Sequence, residues 1–154
     1  MTDTQRCFAK YGNPKSKEFQ NKYLKRIPLP ADIAAVWPKY GTTKITAVYM
    51  HVDAVEPLFK VFRELISTGL SKELKTYDGC HNIRKKRGGT EYSIHSWGLA
   101  FDFNAALNPL GVKWGSRPGM FSKEFVAVWR KHGWECGANW KFGDAQHYQW
   151  TPKA

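Results

Sequence analysis

Apolar residues recur at three- and four-residue spacings between residues 53 and 68, which is the pattern of one buried face of an α-helix. The apolar positions are Val55, Leu58, Phe59, Phe62, Leu65 and Ile66. Asp53 offers a side-chain oxygen that suits an N-cap, and Gly69 suits a helix end because glycine tolerates a left-handed backbone. The sequence therefore predicts a helix over residues 53–68.

Two further helices are indicated by shorter patterns of the same kind. Residues 122–132 begin with the capping residue Ser122 and stop before Gly133, and three large apolar residues share one face. The segment before Tyr40 is rich in proline and glycine turn signals. We expect this segment to wrap the surface, with a short helix over residues 16–24.

Strict alternation marks residues 99–103 as a strand. Its three large apolar residues fall on one face, whereas Ala100 and Asp102 fall on the other. Shorter runs of β-type residues lie at 45–50, 73–77, 134–136 and 147–150. Helices and strands are mixed without a regular βαβ alternation, so we predict an α+β fold with a small antiparallel sheet flanked by helices.

Composition narrows the class of protein. The chain has 154 residues, of which 42% are hydrophobic and 24% are charged, close to ordinary globular usage. This length fits one domain over residues 1–154, with no separate binding domain. No run approaches the ~20 apolar residues of a membrane helix, and the N-terminus lacks the apolar core of a secretory signal. Three cysteines cannot all pair within one chain, so we expect free thiols and a cytosolic protein.

The chain is strongly basic. Lysine and arginine number 24 against 13 aspartates and glutamates, which gives a net charge of +11. Basic proteins bind nucleic acids, anionic membranes or cell-wall polymers, so the charge defines a class of partners and not one partner. The densest basic cluster, residues 84–87, precedes Gly88 and Gly89 and is therefore expected in a loop.

Two of the five histidines have carboxylates at spacings that suit a metal site. His95 precedes Asp102 by seven residues, and His147 follows Asp144 by three. Two imidazoles and one carboxylate, here His95, Asp102 and His147, form a ligand set that zinc accepts in catalytic sites, where a fourth position stays open. Gly98 permits the turn that would bring His95 and Asp102 together.

A metal-dependent hydrolase also needs a base and a cation. Asp144 would remain as a free carboxylate beside His147, in a position to take a proton. Arg84 and Arg87 lie upstream of His95 on the basic loop. An arginine near the metal would stabilise negative charge on the scissile carbonyl, and spacing does not decide between the two.

The remaining histidines and the nearby tryptophans have simpler interpretations. We interpret His51, His81 and His132 as structural histidines, because an isolated histidine is seldom a ligand. Trp97 and Trp140 lie close to the motifs in the sequence, and we interpret both as packing residues.

The order and spacing of these motifs resemble those of the D-alanyl-D-alanine carboxypeptidase superfamily of zinc peptidases. The residues concerned are Ser93-x-His95-x-x-Gly98-x-Ala100-x-Asp102, then Gly133-Trp134, Trp140 and Asp144-x-x-His147. Within the superfamily, the chain looks most like phage endolysins that act as L-alanyl-D-glutamate peptidases, and residues 77–84 add to this likeness. The resemblance spans roughly residues 11–149, and its specific part is residues 79–149.

The resemblance implies a role for each matching residue. The three zinc ligands would be His95, Asp102 and His147. Asp144 stands where the family has its catalytic acid or base. Arg84 matches the carbonyl-polarising arginine better than Arg87 does. Ser93 would support the site or the substrate by hydrogen bonding. The implied fold is α+β, with a small antiparallel sheet that carries the zinc ligands.

The resemblance also implies the function of an endolysin, which is a zinc endopeptidase that hydrolyses an amide of the peptidoglycan stem peptide, between L-Ala and D-Glu, and lyses the host cell. We expect a monomer without a transmembrane segment or signal peptide, held in the host cytoplasm until its release to the periplasm or cell wall. The alternative is a D-Ala-D-Ala dipeptidase or carboxypeptidase of cell-wall metabolism. A nucleic-acid-binding protein would account for the charge but not for the two motifs, so we expect no specific nucleic-acid partner.

Overall fold

The computed structural model describes residues 1–153, apart from the side chain of Tyr40, and combines short helices with short strands. The helices are α1 Asp3–Tyr11, α2 Lys17–Tyr23, α3 Val55–Thr68 and α4 Lys123–Lys131. The strands are β1 Leu24–Pro28, β2 Ala47–His51, β3 Tyr77–Gly79, β4 Ala100–Phe103, β5 Glu135–Cys136 and β6 His147–Gln149. The predicted α+β class is confirmed.

The strands form two antiparallel sheets. Strands β1 and β2 pair with each other, and the other four strands form a sheet in the order β3-β4-β6-β5. In this larger sheet Asp102 on β4 lies directly opposite His147 on β6. Pairing of the two central strands therefore brings together candidate ligands that are far apart in the sequence.

Packing of β4 decides which way its carboxylate faces. The three large apolar residues predicted to share one face are fully buried. The Phe103 ring centroid lies 6.0 Å from that of Trp129 on α4. Asp102 lies on the other face, where 19% of its side chain is exposed. Burial of the apolar face against the helix thus turns Asp102 toward the cleft on the other side of the sheet.

The two long predicted helices form as α3 and α4, with one difference at the start of α3. Ser122 Oγ caps α4 by accepting a hydrogen bond from the Phe125 N–H at 3.1 Å, and Gly69 ends α3 in the left-handed conformation. Asp53, expected as the N-cap of α3, lies in the 3₁₀ turn before it. Its carboxylate instead accepts a hydrogen bond from the Tyr11 hydroxyl at 2.7 Å. A tertiary contact therefore replaces the local cap.

Helix α1 lies in the segment that we expect to wrap the surface, before the helix predicted over residues 16–24, which forms as α2. The sequence predicts no helix at the position of α1. It begins with a capping box, in which the Gln5 N–H donates to Thr2 Oγ1 and the Thr2 N–H donates to Gln5 Oε1. Its buried face consists of Thr4, Cys7 and Tyr11. This face mixes polar and apolar residues, so the pattern of hydrophobic positions along the sequence does not show the helical period.

Strand β3 begins later than the predicted strand over residues 73–77. The N–H groups of Lys75 and Thr76 donate to the Asn104 side-chain oxygen at 2.8 and 2.9 Å. These donors are therefore satisfied by a side chain instead of a neighbouring strand. Ladder pairing in the four-stranded sheet starts only at Tyr77.

The three cysteines are buried, unpaired thiols, as their number predicts; they are Cys7, Cys80 and Cys136. Burial raises the pKa of Cys7 and of Cys136 to about 12, so both stay protonated at neutral pH. Within residues 1–153, no helix has the length and apolar character needed to cross a membrane.

Candidate metal centre

Three predicted ligands converge at the middle of the four-stranded sheet. His95 lies in a 3₁₀ turn, Ile94–Trp97, that precedes β4, while Asp102 and His147 are paired across β4 and β6. One ligand atom from each residue lies within 4.8 Å of the other two. The predicted grouping of His95, Asp102 and His147 is therefore present, and its geometry suits a single ion.

A tight turn brings His95 to the sheet. Ser93 Oγ accepts a hydrogen bond from the His95 N–H at 3.3 Å and starts the 3₁₀ turn, and Gly98 ends it with φ +70°. A Cβ on Gly98 would lie 2.7 Å from Leu24 Cδ2 and 3.0 Å from the His51 nitrogen. Only glycine fits both the left-handed backbone and this close approach, which confirms the predicted role of Gly98.

Hydrogen bonds fix which ring nitrogen of each histidine faces Asp102. His95 Nδ1 lies 2.7 Å from the Cys80 carbonyl oxygen, which only accepts, so Nδ1 carries the hydrogen. His147 Nε2 lies 2.7 Å from Gln149 Oε1 and donates to it. The free lone pairs are therefore those of His95 Nε2 and His147 Nδ1, which lie 3.2 and 3.3 Å from the two Asp102 oxygens.

Gln149 is itself held by two carboxylates. Its amide nitrogen donates to Asp3 Oδ2 at 2.7 Å and to Glu135 Oε2 at 2.8 Å. With both amide hydrogens engaged, the Gln149 oxygen must face His147. Asp3 belongs to α1, so the N-terminal helix contributes to the orientation of a candidate ligand.

The charges of the site match a cation. Burial alone would raise the pKa of Asp102, but the adjacent imidazoles of His147 and His95 outweigh burial and hold that pKa well below its ordinary value. Burial lowers the pKa of His147, yet the contact with Asp102 overcomes it and the net pKa is raised. Positive charge is thus favoured beside Asp102, at His147.

Two buried polar atoms in this group have no hydrogen-bond partner among the described residues. They are His95 Nε2 and Asp102 Oδ1, and both face the centre of the group. Buried polar atoms are rarely left unsatisfied, because each costs about 1–3 kcal/mol. Nitrogen and oxygen lone pairs pointing at one spot are the donor set that zinc takes, so these residues fit a zinc ion.

Asp144 lies beside the ligands. Its Oδ2 is 3.9 Å from His147 Nδ1, and its side chain is 18% exposed. Burial raises the pKa of Asp144 above its ordinary value, despite the nearby imidazoles. The Asp144 N–H donates to the Gly137 carbonyl at 2.9 Å, and a Cβ on Gly137 would collide with the Asp144 backbone. The close approach of these two backbones sets the position of the carboxylate.

The other predicted site residues line a cleft of about 620 Å³, which they share with Asp102, Asp144 and His147. His95 lines a neighbouring pocket, together with Asp102 and Arg84. Arg84 and Arg87 both face it from the basic loop, together with Ser93. Arg84 is half-buried, and its backbone N–H donates to Ser96 Oγ at 3.1 Å, whereas Arg87 is exposed. Every predicted site residue except His95 thus lines this cleft.

The structure places His51, His81 and His132 outside the ligand group. His51 is buried and accepts a hydrogen bond from the Asp53 N–H at 3.0 Å, and His132 Nε2 lies 3.0 Å from Glu64 Oε1. Trp97 is fully buried, so its interpretation as a packing residue is confirmed.

Several residues that shape the site are not predicted from the sequence. Trp140, interpreted above as a packing residue, is 37% exposed and lines the cleft with Phe142. Gln149 follows His147 by two residues in a strand, a spacing that places both side chains on one face and is visible in the sequence. The Cys80 carbonyl leaves no such signal, because every residue type carries that group.

Comparison with known families agrees with this geometry. Residues 87–150 match the family model described as D-alanyl-D-alanine carboxypeptidase. The matched segment contains the whole ligand group and Asp144. The chain is a metallopeptidase. The match supports the superfamily that the motifs resemble, and with it a substrate related to peptidoglycan. Arg84 lies just before the matched segment of the metallopeptidase, whereas Arg87 and Ser93 lie within that segment. No curated protein and no solved structure matches the metallopeptidase.

Proposed function

We propose that this metallopeptidase is a zinc endopeptidase of the endolysin type, which hydrolyses the L-Ala–D-Glu amide in the stem peptide of peptidoglycan. The observation that carries the proposal is the convergence of His95, Asp102 and His147, with a second carboxylate, Asp144, beside them at an open cleft. The match over residues 87–150 supports a cell-wall peptidase. The choice of bond rests on the resemblance of the motifs to L-alanyl-D-glutamate peptidases.

Three residues would hold the zinc ion: His95 through Nε2, His147 through Nδ1, and Asp102 through its carboxylate. Zinc in such a site polarises the scissile carbonyl and lowers the pKa of the attacking water to roughly 7. The chain contributes rigidity, because the Cys80 carbonyl and Gln149 hold the two imidazole rings in place.

Asp144 would act as the general base and then as the acid. It lies against the ligand group without hydrogen-bonding to a histidine, so its oxygens remain available to the substrate. Its raised pKa brings the carboxyl closer to neutrality than an ordinary aspartate, which favours accepting a proton from water and returning it to the leaving amine.

Arg84 is the better of two candidates for stabilising negative charge on the carbonyl oxygen. Hydrogen bonds on both sides fix its backbone, since its N–H donates to Ser96 Oγ and its carbonyl accepts from the Ser93 N–H at 2.9 Å. Arg87, next to Gly88, is exposed and less constrained. Preorganised cations stabilise a developing charge more than mobile ones do. Ser93 would serve mainly by starting the turn that carries His95.

As an endolysin, the protein would act on host peptidoglycan late in infection. It would be a monomer that stays in the host cytoplasm until release to the periplasm or cell wall, and it would bind the stem peptide and no specific nucleic acid. The net charge of +11 supports this partner, because envelope polymers are anionic.

The test is release of new amino groups from purified peptidoglycan, with identification of the new N-terminus. The wild-type protein should release a D-Glu amino group, and a zinc chelator should abolish the release. Free D-Ala would indicate the carboxypeptidase alternative instead. Absence of any release by folded, zinc-loaded protein would contradict the proposed function.

Variants assign the roles within the same assay. His95→Ala should lose bound zinc and activity together, because a two-ligand site holds zinc poorly. Asp144→Ala should retain bound zinc and lose about 10²–10⁴-fold in kcat. Asp78→Ala is the matched control, because Asp78 contacts Thr76 and Ala105 and is not part of the ligand group. If Asp144→Ala kept most of its turnover, the base would have to be another residue.

A further inference from the structure

The cleft has two chemically different walls, one on each side of the candidate metal group. Asp102 and His147 lie on the central strands β4 and β6. The basic loop with Arg84 and Arg87 follows β3 at one edge of the sheet, whereas Trp140 and Phe142 follow β5 at the other. A substrate bound across the metal therefore meets cationic side chains at one end and aromatic rings at the other.

The aromatic wall is exposed and adjacent to the metal group. Phe142 is 71% exposed and Trp140 is 37% exposed, and both line the cleft. The Trp140 ring centroid lies 5.1 Å from that of His147. Leaving a phenylalanine this open to water forgoes the free energy of burying it, so the ring is available to a ligand in the cleft.

The loop that carries the two rings is held in place. The Gly143 N–H donates to the Trp140 carbonyl at 3.0 Å, and the Gly111 N–H donates to the Gly143 carbonyl at 2.8 Å. A Cβ on Gly111 would lie 3.3 Å from Phe142 Cζ, so the ring rests against bare backbone. A wall fixed in this way loses little conformational entropy when a ligand binds.

The polarity of the cleft matches the polarity of the proposed substrate. This step rests on the proposed function. On the carboxyl side of an L-Ala–D-Glu bond the stem peptide carries free carboxylates, and on the amino side it joins the uncharged N-acetylmuramic acid sugar through one alanine. Carboxylates are attracted by Arg84, Lys86 and Arg87, and repelled by Glu135 on β5, at the aromatic side. The sugar therefore points toward the rings.

We propose that Trp140 and Phe142 form a binding site for the N-acetylmuramic acid sugar attached to the stem peptide. The C–H groups of a pyranose ring form an apolar face that packs on an aromatic ring, while its hydroxyl groups stay in water. Only the lactyl group of the muramic acid and one alanine separate the pyranose ring from the scissile amide, and Trp140 lies directly beside His147. The site would make the enzyme prefer stem peptides that are still attached to glycan.

The test compares two substrates that differ only in the sugar. One is the disaccharide N-acetylglucosaminyl-N-acetylmuramic acid linked to L-Ala-D-Glu-diaminopimelate, and the other is N-acetyl-L-Ala-D-Glu-diaminopimelate. For Phe142→Ala, the ratio of KM with the sugar to KM without it should rise about three- to tenfold relative to wild type, as expected for loss of one aromatic contact. Phe142→Tyr keeps the ring and should keep the wild-type ratio.

Leu107→Ala is the matched control, because Leu107 is 40% exposed but does not line the cleft. Its KM ratio should equal that of wild type. An equal rise of KM on both substrates in Phe142→Ala would place the ring against the peptide, and an unchanged ratio would remove it from binding; either result overturns the sugar site. A new N-terminus other than D-Glu with wild-type protein is a separate failure. It would refute the proposed bond and, since the sugar would then lie farther away, the sugar site with it.

Discussion

At the scale of single residues, the position of the ligand group depends on the backbone around it as well as on the three side chains. Gly98 has both a left-handed backbone and two neighbours, Leu24 and His51, within 3.0 Å of any added Cβ. The turn that it closes carries His95 to the sheet, and the Cys80 carbonyl then fixes the imidazole ring. A methyl group at position 98 would therefore disturb both the packing around the turn and the position of His95.

Gly98→Ala should lower the free energy of unfolding by about 2–4 kcal/mol, as the sum of left-handed strain and overpacking. Gly115→Ala is the matched control, because Gly115 has φ +85° with no atom within 4 Å of the added Cβ. It should cost only the strain, about 1 kcal/mol. Denaturant midpoints of the two variants measure the difference. Equal midpoints would show that the surroundings of Gly98 yield to a methyl group.

At the scale of secondary-structure elements, the N-terminal helix and the central strands build the site together. Strand β6 presents His147 and Gln149 on one face, and α1 supplies Asp3 to the Gln149 amide. Helix α1 is tied to the rest of the molecule by Thr4 Oγ1, which donates to the Tyr92 carbonyl at 2.9 Å. The helix thus acts as a support for a candidate ligand.

Gln149→Leu should weaken zinc binding about 10–100-fold, because His147 loses the acceptor that orients its ring. Competition with a chelator measures this affinity without recourse to activity. Gln20→Leu, which removes a hydrogen bond from α2 to the Pro14 carbonyl and involves no candidate ligand, should leave zinc affinity at the wild-type value. Wild-type affinity in Gln149→Leu would mean that packing alone orients His147.

At the scale of the whole molecule, protons and metal compete for the same buried group. In the metal-free protein the raised pKa of His147 stabilises the fold fully below the ordinary value of 6.5. This contribution is lost as the pH rises through the folded-state pKa. Asp102, whose pKa is held low, stays ionised in the folded state throughout the neutral range. A metal ion binds only the neutral imidazole, so metal binding becomes stronger as the pH rises.

The difference in Tm between zinc-loaded and metal-free protein should therefore grow from about pH 5.5 to about pH 8.5, a range that spans the titration of a histidine. Thermal unfolding at fixed zinc and protein concentrations measures it. His51→Gln is a suitable control, because His51 is buried outside the ligand group and should leave the trend unchanged. A constant difference across this range would show that His147 does not exchange its proton for the metal.

The elements that could be predicted are those whose apolar positions repeat over a whole face. This holds for α3, α4 and β4, since burial of one face both forms the element and leaves its mark on the sequence. Helix α1 and the late start of β3 could not be predicted, because a capping box and the Asn104 side chain decide them. Asp53 does not cap α3 as predicted, because its carboxylate accepts a hydrogen bond from Tyr11 on another helix. Such a contact between distant segments has no local sequence pattern.

The sequence by itself determined which side chains the candidate site can use: His95, Asp102, Asp144 and His147 stand out by their residue types and by their spacing along the chain. Only the tertiary structure decided what surrounds them. The Gln149 contacts with α1 and β5, the two walls of the cleft and the exposure of Phe142 arise from pairing and packing between distant segments. Such contacts depend on three-dimensional proximity, and no local pattern of residues encodes them.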